Sequence, residues 1–166
     1  MTEMAGQRFT FEPHHCFACG ELNEHGLHLE LHADASGCWS ELILDPAFQG
    51  WEGVAHGGIL CTILDEVMAW SVIGRDTWGV TARMAVEFRR PVEVGRRLRA
   101  EATVTQVRRR LFLTEGRLMD STTGEILATS TGTYVGAPPE RLAELKARYR
   151  LRPTDDRRDA PVAVDT

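Results

Sequence analysis

The run "VAHGGILCTILDEVMAW", residues 54–70, sets a carboxylate, Asp65, inside an otherwise apolar segment, with His56, Gly57 and Gly58 near its start. If the run is a helix, its first N–H groups have no intrahelical partner, and glycine there lets another molecule come close to the backbone. The partial positive charge at that end favours an anion or a developing oxyanion. A donor that polarises a carbonyl, combined with a carboxylate, suits acyl transfer or hydrolysis. A helix rises about 1.5 Å per residue, so Gly57 and Asp65 stand roughly 12 Å apart within one chain. They cannot both touch one carbonyl. A dimer that lays the helix start of one chain beside the mid-helix of the other removes the difficulty.

The pattern alone leaves Asp65 open between a solvated surface acid, an ion-pair partner and the reacting group. At about 100° per residue, Ile59, Leu60, Ile63, Leu64, Val67 and Met68 form one apolar stripe, and Asp65 is turned about 150° from its centre. Its neighbours Cys61, Thr62 and Ala69 are small and leave room for something to approach. A merely solvated face would more often carry Lys, Arg, Gln or Glu. The adjacent Glu66 is a rival acid.

Several elements must position these groups. "LHLELHA" alternates Leu27, Leu29 and Leu31 against polar residues, the period of a half-buried strand, and "SGCWSELIL" reads as its antiparallel partner. "DPAFQGWEG" is a loop. The helix spans about Gly57 to Ile73, with Gly74 as its stop. Four further strands are expected in "TARMAVEF", "RLRAEATVTQV", "LFLTEGRLM" and "EILATSTGTYV", the last two joined through "DSTTG". In the first of these, Ala82, Met84, Val86 and Phe88 share one face and Thr81, Arg83, Ala85 and Glu87 the other. "PPERLAELKARYR" reads as a short amphipathic helix. One helix cannot cover both faces of six strands, so the economical arrangement is an antiparallel sheet curled around it. The exposed face and edge then call for self-association. Residues 1–26 are expected to be irregular and 27–137 to form the domain. Residues 138–166 should hold the short helix and a polar tail from Pro153 expected to be disordered.

The chain's 166 residues fit one domain. A net charge of -5 argues against a nucleic-acid partner. The start lacks a basic flank followed by an apolar run, and no window approaches about 18 uninterrupted apolar residues, so neither export nor membrane insertion is expected. A cytoplasmic location and free thiols at Cys16, Cys19, Cys38 and Cys61 follow as expectations.

The segment "HGGILCTILDEVM", with Asp nine residues after His, resembles the helix motif of the PaaI-like hotdog-fold acyl-CoA thioesterases. The flanking "FQGWEGVAHGG" and "TARMAVEFRRPVEVG" are similar to that family too, and the likeness covers about residues 16–136. It implies an α+β hotdog fold, a six-stranded antiparallel sheet curled around one long helix, with active sites at a homodimer interface and no cofactor. It further implies that Asp65 is the base or nucleophile for the thioester. The Gly57 N–H would be the oxyanion donor from the opposite subunit, with Gly58 beside it, and His56 would help place the thioester. Thr81 matches a hydroxyl position that orients the attacking water or Asp65. Some relatives carry Asn about six residues before the His, where this chain has Gly50, and Gln49 is the available substitute. The expected partners are an acyl- or aryl-CoA substrate and a second copy of the chain, as a dimer or a dimer of dimers. Two other functions fit the same pocket. One is a non-catalytic acyl-CoA binding or sensing domain, and the other is an enoyl-CoA hydratase or dehydratase with a His–Asp pair.

Two further constellations lie outside that motif. "HHCFACG" with His25 and His28 invites a zinc reading, but the Cys-to-His gap is short and no second Cys pair follows. No metal is therefore expected. Of 19 basic residues all but Lys146 are Arg. They cluster at Arg89 and Arg90, at Arg96, Arg97 and Arg99, and at Arg108, Arg109 and Arg110. Ordinary surface charge is the plain interpretation. The sharper one has Arg89 and Arg90 holding coenzyme A phosphates, and Trp51, in the loop before the helix, lining an acyl pocket.

Overall fold

The computed structural model describes residues 7–10, 12–150 and 152–153. The helix, α1, runs Gly57–Ile73, within the bounds that its pattern predicts. Leu60, Ile63, Leu64, Val67 and Met68 are buried as expected, and Trp70 and Val72 join them in the last turns. Gly74 ends the helix for a reason other than the left-handed geometry common at helix stops, because its backbone is right-handed. A Cβ there would lie 2.2 Å from the Asp34 carbonyl oxygen, so only glycine lets the helix end against the backbone at Asp34.

The strands are β1 (Gln7–Thr10), β2 (His32–Asp34), β3 (Gly37–Ile43), β4 (Gly79–Phe88), β5 (Arg97–Arg108), β6 (Leu111–Asp120), β7 (Ile126–Gly136) and β8 (Arg152–Pro153). They pair antiparallel in the order β4-β7-β6-β5-β3-β2-β1-β8. The strands β2 to β7 form the expected six-stranded sheet, and α1 packs against every one of them. A second helix, α2, covers Pro139–Tyr149. The inward faces of β5 (Leu98, Ala100, Ala102) and β7 (Leu127, Tyr134) close the core around Ile63, Leu64 and Val67.

Three local expectations are corrected. The first strand is far shorter than the Leu27–Ala33 alternation implies. Leu29 and Leu31 are buried, but the N–H groups of Leu27 and Leu29 bond to Phe17 O and Ala18 O in the N-terminal loop, and the ladder with β3 begins only at His32. The burial period was real, yet the hydrogen bonds went elsewhere. Second, the segment expected to be irregular contributes β1, which pairs with both β2 and β8. The tail expected to be disordered lies, apart from Pro153, outside the described residues. Third, the register of β4 against β7 shifts between Thr81 and Arg83. A bulge of this kind reverses the side-chain alternation, so Thr81 faces the helix like Met84 and Val86, not opposite to them.

Candidate active site

Asp65 sits in the middle of α1 and is half-buried. Its Oδ1 accepts from Thr81 Oγ1 at 2.8 Å and lies 2.7 Å from the Tyr134 hydroxyl, which is also 3.0 Å from the Asp65 carbonyl oxygen. Oδ2 has no hydrogen-bond donor among the described residues, which leaves it as the oxygen open to a water or a substrate. The Thr81 contact depends on the bulge in β4. Tyr134 was not foreseen from the sequence. It is 0% exposed, and burial, followed by the carboxylate beside it, pushes its phenol above its ordinary value, so it stays a donor. The signal that could have found it is Gly132, two residues earlier on the same strand face. A Cβ there would lie 2.8 Å from the Tyr134 ring and 2.7 Å from Thr114 Oγ1. A glycine opposite a large residue in a central strand marks a close approach.

Thr62 turns away from Asp65, its hydroxyl donating to the Gly58 carbonyl one turn back. Cys61 is half-buried, and burial, with the Asp65 charge adding, pushes its thiol up, so it is a poor nucleophile. Glu66 faces another part of the fold. Its Oε1 accepts from Trp70 Nε1 at 3.0 Å. Burial above all, with Cys16 adding, raises its carboxyl to about 7.

At the helix start, His56 is the N-cap. Its Nδ1 accepts the Gly58 N–H at 2.9 Å, which leaves the ring proton on Nε2 when the imidazole is neutral. The Gly58 N–H is therefore occupied, whereas that of Gly57 has no acceptor among the described residues. The ring of Phe88, at the end of β4, lies 3.5 Å from where a Gly57 Cβ would be. Arg89 and Arg90 follow it directly, so they belong to the same end of the molecule as the helix start. Both are exposed and loosely held. Arg89 reaches Glu87 at 3.3 Å and Thr129 at 3.5 Å, and Arg90 reaches Glu125 at 3.4 Å. Arg96, Arg99 and Arg110 are better occupied. Arg96 pairs with Asp120 and Glu125, Arg99 with Glu41 and Glu101, and Arg110 donates to the Gly136 carbonyl.

Gln49 is spent on its own loop, its Oε1 accepting the Gly53 N–H at 2.9 Å. At Gly50 a Cβ would stand 3.2 Å from the His56 Cα and 3.3 Å from its ring, so the loop packs against the N-cap where a larger residue would crowd it. Trp51 is 87% exposed in a single chain. The structure thus brings Asp65 and Thr81 together, adds Tyr134, and keeps His56, Gly57, Gly58, Arg89 and Arg90 at a separate end of α1.

Comparison with known proteins agrees with this architecture. Residues 52–127 match the family model described as Thioesterase superfamily. Among solved structures, the fold is similar to a thioesterase superfamily protein, RHA08564 (TM-score 0.67, 24% identity, 73% of this chain and 60% of that one). The matched part thus spans less than two thirds of that relative's length. It is also similar to a hypothetical thioesterase from Streptococcus pneumoniae TIGR4 determined with coenzyme A (TM-score 0.62, 17% identity, 66% of this chain and 85% of that one). The E. coli PaaI protein is a third (TM-score 0.62, 17% identity, 66% and 83%). No curated protein matches the chain. No helix among the described residues is long and apolar enough to cross a membrane. By its helix motif, its six-stranded sheet around one helix and these likenesses, the chain has the hotdog fold and is similar over residues 52–127 to the thioesterase superfamily.

Proposed function

We propose that the protein is a homodimeric acyl-CoA thioesterase that hydrolyses an acyl- or aryl-CoA to the free acid and coenzyme A in the cytoplasm. The observation that carries this reading is the state of the Asp65 carboxylate. One oxygen is fixed by two hydroxyls and the other is open. A carboxylate held this way is pre-aimed, either to take a proton from water or to attack the thioester carbonyl itself. The negative charge that then builds on the carbonyl oxygen needs a donor, and the unoccupied Gly57 N–H at a helix start suits it. Within one chain the two groups are roughly 12 Å apart, so the donor comes from the partner. His56, through Nε2–H, and Gly58 border that donor, while Arg89 and Arg90 at the same end suit the phosphates of coenzyme A. The pneumococcal relative with coenzyme A supports this choice of ligand. Collapse of the tetrahedral intermediate expels the coenzyme A thiolate, which takes a proton. No metal or cofactor takes part in these steps.

Incubation of the protein with a panel of acyl- and aryl-CoAs, reading free thiol, tests the proposal. Wild type releases thiol, and Asp65→Asn remains folded and loses about 10²–10⁴-fold in turnover, the range of a general base. Undiminished turnover in the variant rejects the role of Asp65. Tight binding of acyl-CoA by wild type with no thiol release would make the protein a binding domain.

A further inference from the structure

The Cys-x-x-Cys pair and Glu66 have no part in the chemistry above, yet the fold collects them. The sulfurs of Cys16 and Cys19 and a carboxylate oxygen of Glu66 all lie within 4.8 Å of one another. His14 Nε2 is 3.6 Å from the Cys19 sulfur and stands outside that three-atom group, so it reaches a shared ion only by swinging inward. We propose that His14, Cys16, Cys19 and Glu66 form a structural zinc site that fastens the N-terminal loop to the middle of α1.

The donor set is the first argument. Two thiolates, an imidazole and a carboxylate are zinc ligands, and four protein donors close a tetrahedral structural site. Geometry is the second. With Zn–S about 2.3 Å and Zn–N about 2.0–2.1 Å, a tetrahedral angle sets sulfur and nitrogen about 3.6 Å apart. That is the separation found between Cys19 and His14. The third argument is the outer layer of contacts. His14 Nδ1 is 3.3 Å from the Glu12 carbonyl, an acceptor, so that nitrogen carries the proton and Nε2 presents a lone pair. Metal-bound histidines are oriented in this way. Glu66 Oε1 is fixed by Trp70, which leaves its other oxygen for the ion. The turn that brings the cysteines together is closed by Gly20 N–H donating to Cys16 O at 2.9 Å. A Cβ on Gly20 would lie 2.3 Å from the Cys16 nitrogen, so that turn requires glycine.

The sequence suggested His25 and His28 as the companions of the cysteine pair. Both are exposed, and neither joins the cluster. Their replacement comes from a carboxylate far along the chain, which sequence spacing does not reveal. The four groups border one end of a cavity of about 520 Å³ that also runs past Trp78 and Tyr149, so an ion has a route in. Binding releases the two thiol protons to solvent and links loop to helix. This gain in order is present only when the metal is bound.

The test uses the full chain, purified under reducing conditions, freed of metal with a chelator and given one equivalent of Zn²⁺ or Co²⁺. The expected results are one zinc retained per chain after desalting, a higher melting temperature, and a cobalt form with tetrahedral visible bands and thiolate-to-cobalt charge transfer. Cys16→Ser with Cys19→Ser abolishes retention. Glu66→Gln weakens it by about tenfold or more, and His25→Ala with His28→Ala leaves it intact. The cobalt spectrum of the wild type decides even if the cysteine variant does not fold. Failure of the wild type to keep zinc, a cobalt form without thiolate bands, or loss of zinc in the His25/His28 variant alone overturns the proposal. So does isolation of a Cys16–Cys19 disulfide under the same reducing conditions.

Discussion

The Tyr134 hydroxyl lies 2.7 Å from Asp65 Oδ1 and 3.0 Å from the Asp65 carbonyl oxygen, so a single strand residue grips both the side chain and the backbone of the helix acid. With Thr81 at 2.8 Å it determines which oxygen of the carboxylate stays open. Tyr134→Phe keeps the ring that fills the core and removes only the donor. A lost hydrogen bond to a charged group is worth about 1.5–3 kcal/mol. The expected outcome is a fall in kcat on the order of ten- to hundredfold with KM little changed, because the carboxylate is still present but less well aimed. Steady-state kinetics beside a thermal melt check this. A variant with wild-type kcat and a lowered melting temperature would reduce Tyr134 to a structural residue.

The side chains of Arg89 and Arg90 make only long contacts, unlike those of Arg96 and Arg99. Replacing Arg89 and Arg90 together by Ala should leave the fold intact, since exposed ion pairs contribute about 0–1 kcal/mol. If they hold coenzyme A phosphates, KM rises and kcat stays near wild type. Added salt should raise KM in the wild type more than in the variant, because the charge that salt screens is already gone. Identical salt dependence in the two proteins would send the coenzyme to another surface.

Asp120 carries the clearest acid-sensitive contribution to stability. The N–H groups of Thr123 and Thr122 donate to its Oδ1 at 2.7 Å, and Arg96 pairs with its other oxygen. The Thr123 N–H foremost, aided by Arg96, holds its carboxyl below the ordinary 3.8. A carboxyl whose value is lowered in the folded state stabilises the fold above the unfolded value, and that gain fades as pH falls through the folded value. Asp120→Asn should therefore melt at a lower temperature than wild type at neutral pH. The gap between the two should narrow as pH drops below 3.8. Melting curves across acid pH decide it, and a gap that is constant with pH would exclude the charge as its origin.

Much of this architecture is legible in the chain. The 3.6-residue period of Leu60, Ile63, Leu64, Val67 and Met68 gives α1 because that face is buried on all sides by one sheet. The period-2 pattern of β5 survives for the same reason, with Leu98, Ala100 and Ala102 all inside. Patterns fail where hydrogen bonding departs from burial. Leu29 and Leu31 alternate correctly, yet the backbone there bonds to a loop. Thr81 lies beyond simple alternation because a bulge reverses the parity of β4. Tyr134 was invisible because its partner stands 69 residues away, and nothing local marks it except the glycine that makes room. The small residues beside Asp65 are visible in the sequence, but it does not reveal that the Thr62 hydroxyl serves the helix backbone.

In the proposed dimer, Gly57 and Asp65 serve one site from two chains. The edge strand β4 leaves Val80 72% and Phe88 53% exposed in a single chain, and an unpaired edge of ten residues invites a partner. Gly57→Pro separates the donor from everything else. Proline is well tolerated as the first helical residue and lacks the N–H. His56 already has the extended conformation that a following proline requires. The variant should fold, dimerise and lose about 10²–10³-fold in kcat, the usual effect of removing an oxyanion donor. Asp65→Asn should be inactive for a different reason, the loss of the carboxylate. Mixed at equal concentrations and allowed to exchange, the two variants form hybrids in which one of the two sites has both an intact Gly57 and an intact Asp65. About a quarter of wild-type turnover should return, since half of the dimers are hybrids and each has one working site. If both groups acted within one chain, no hybrid would contain a complete site and the mixture would stay as inactive as its parts.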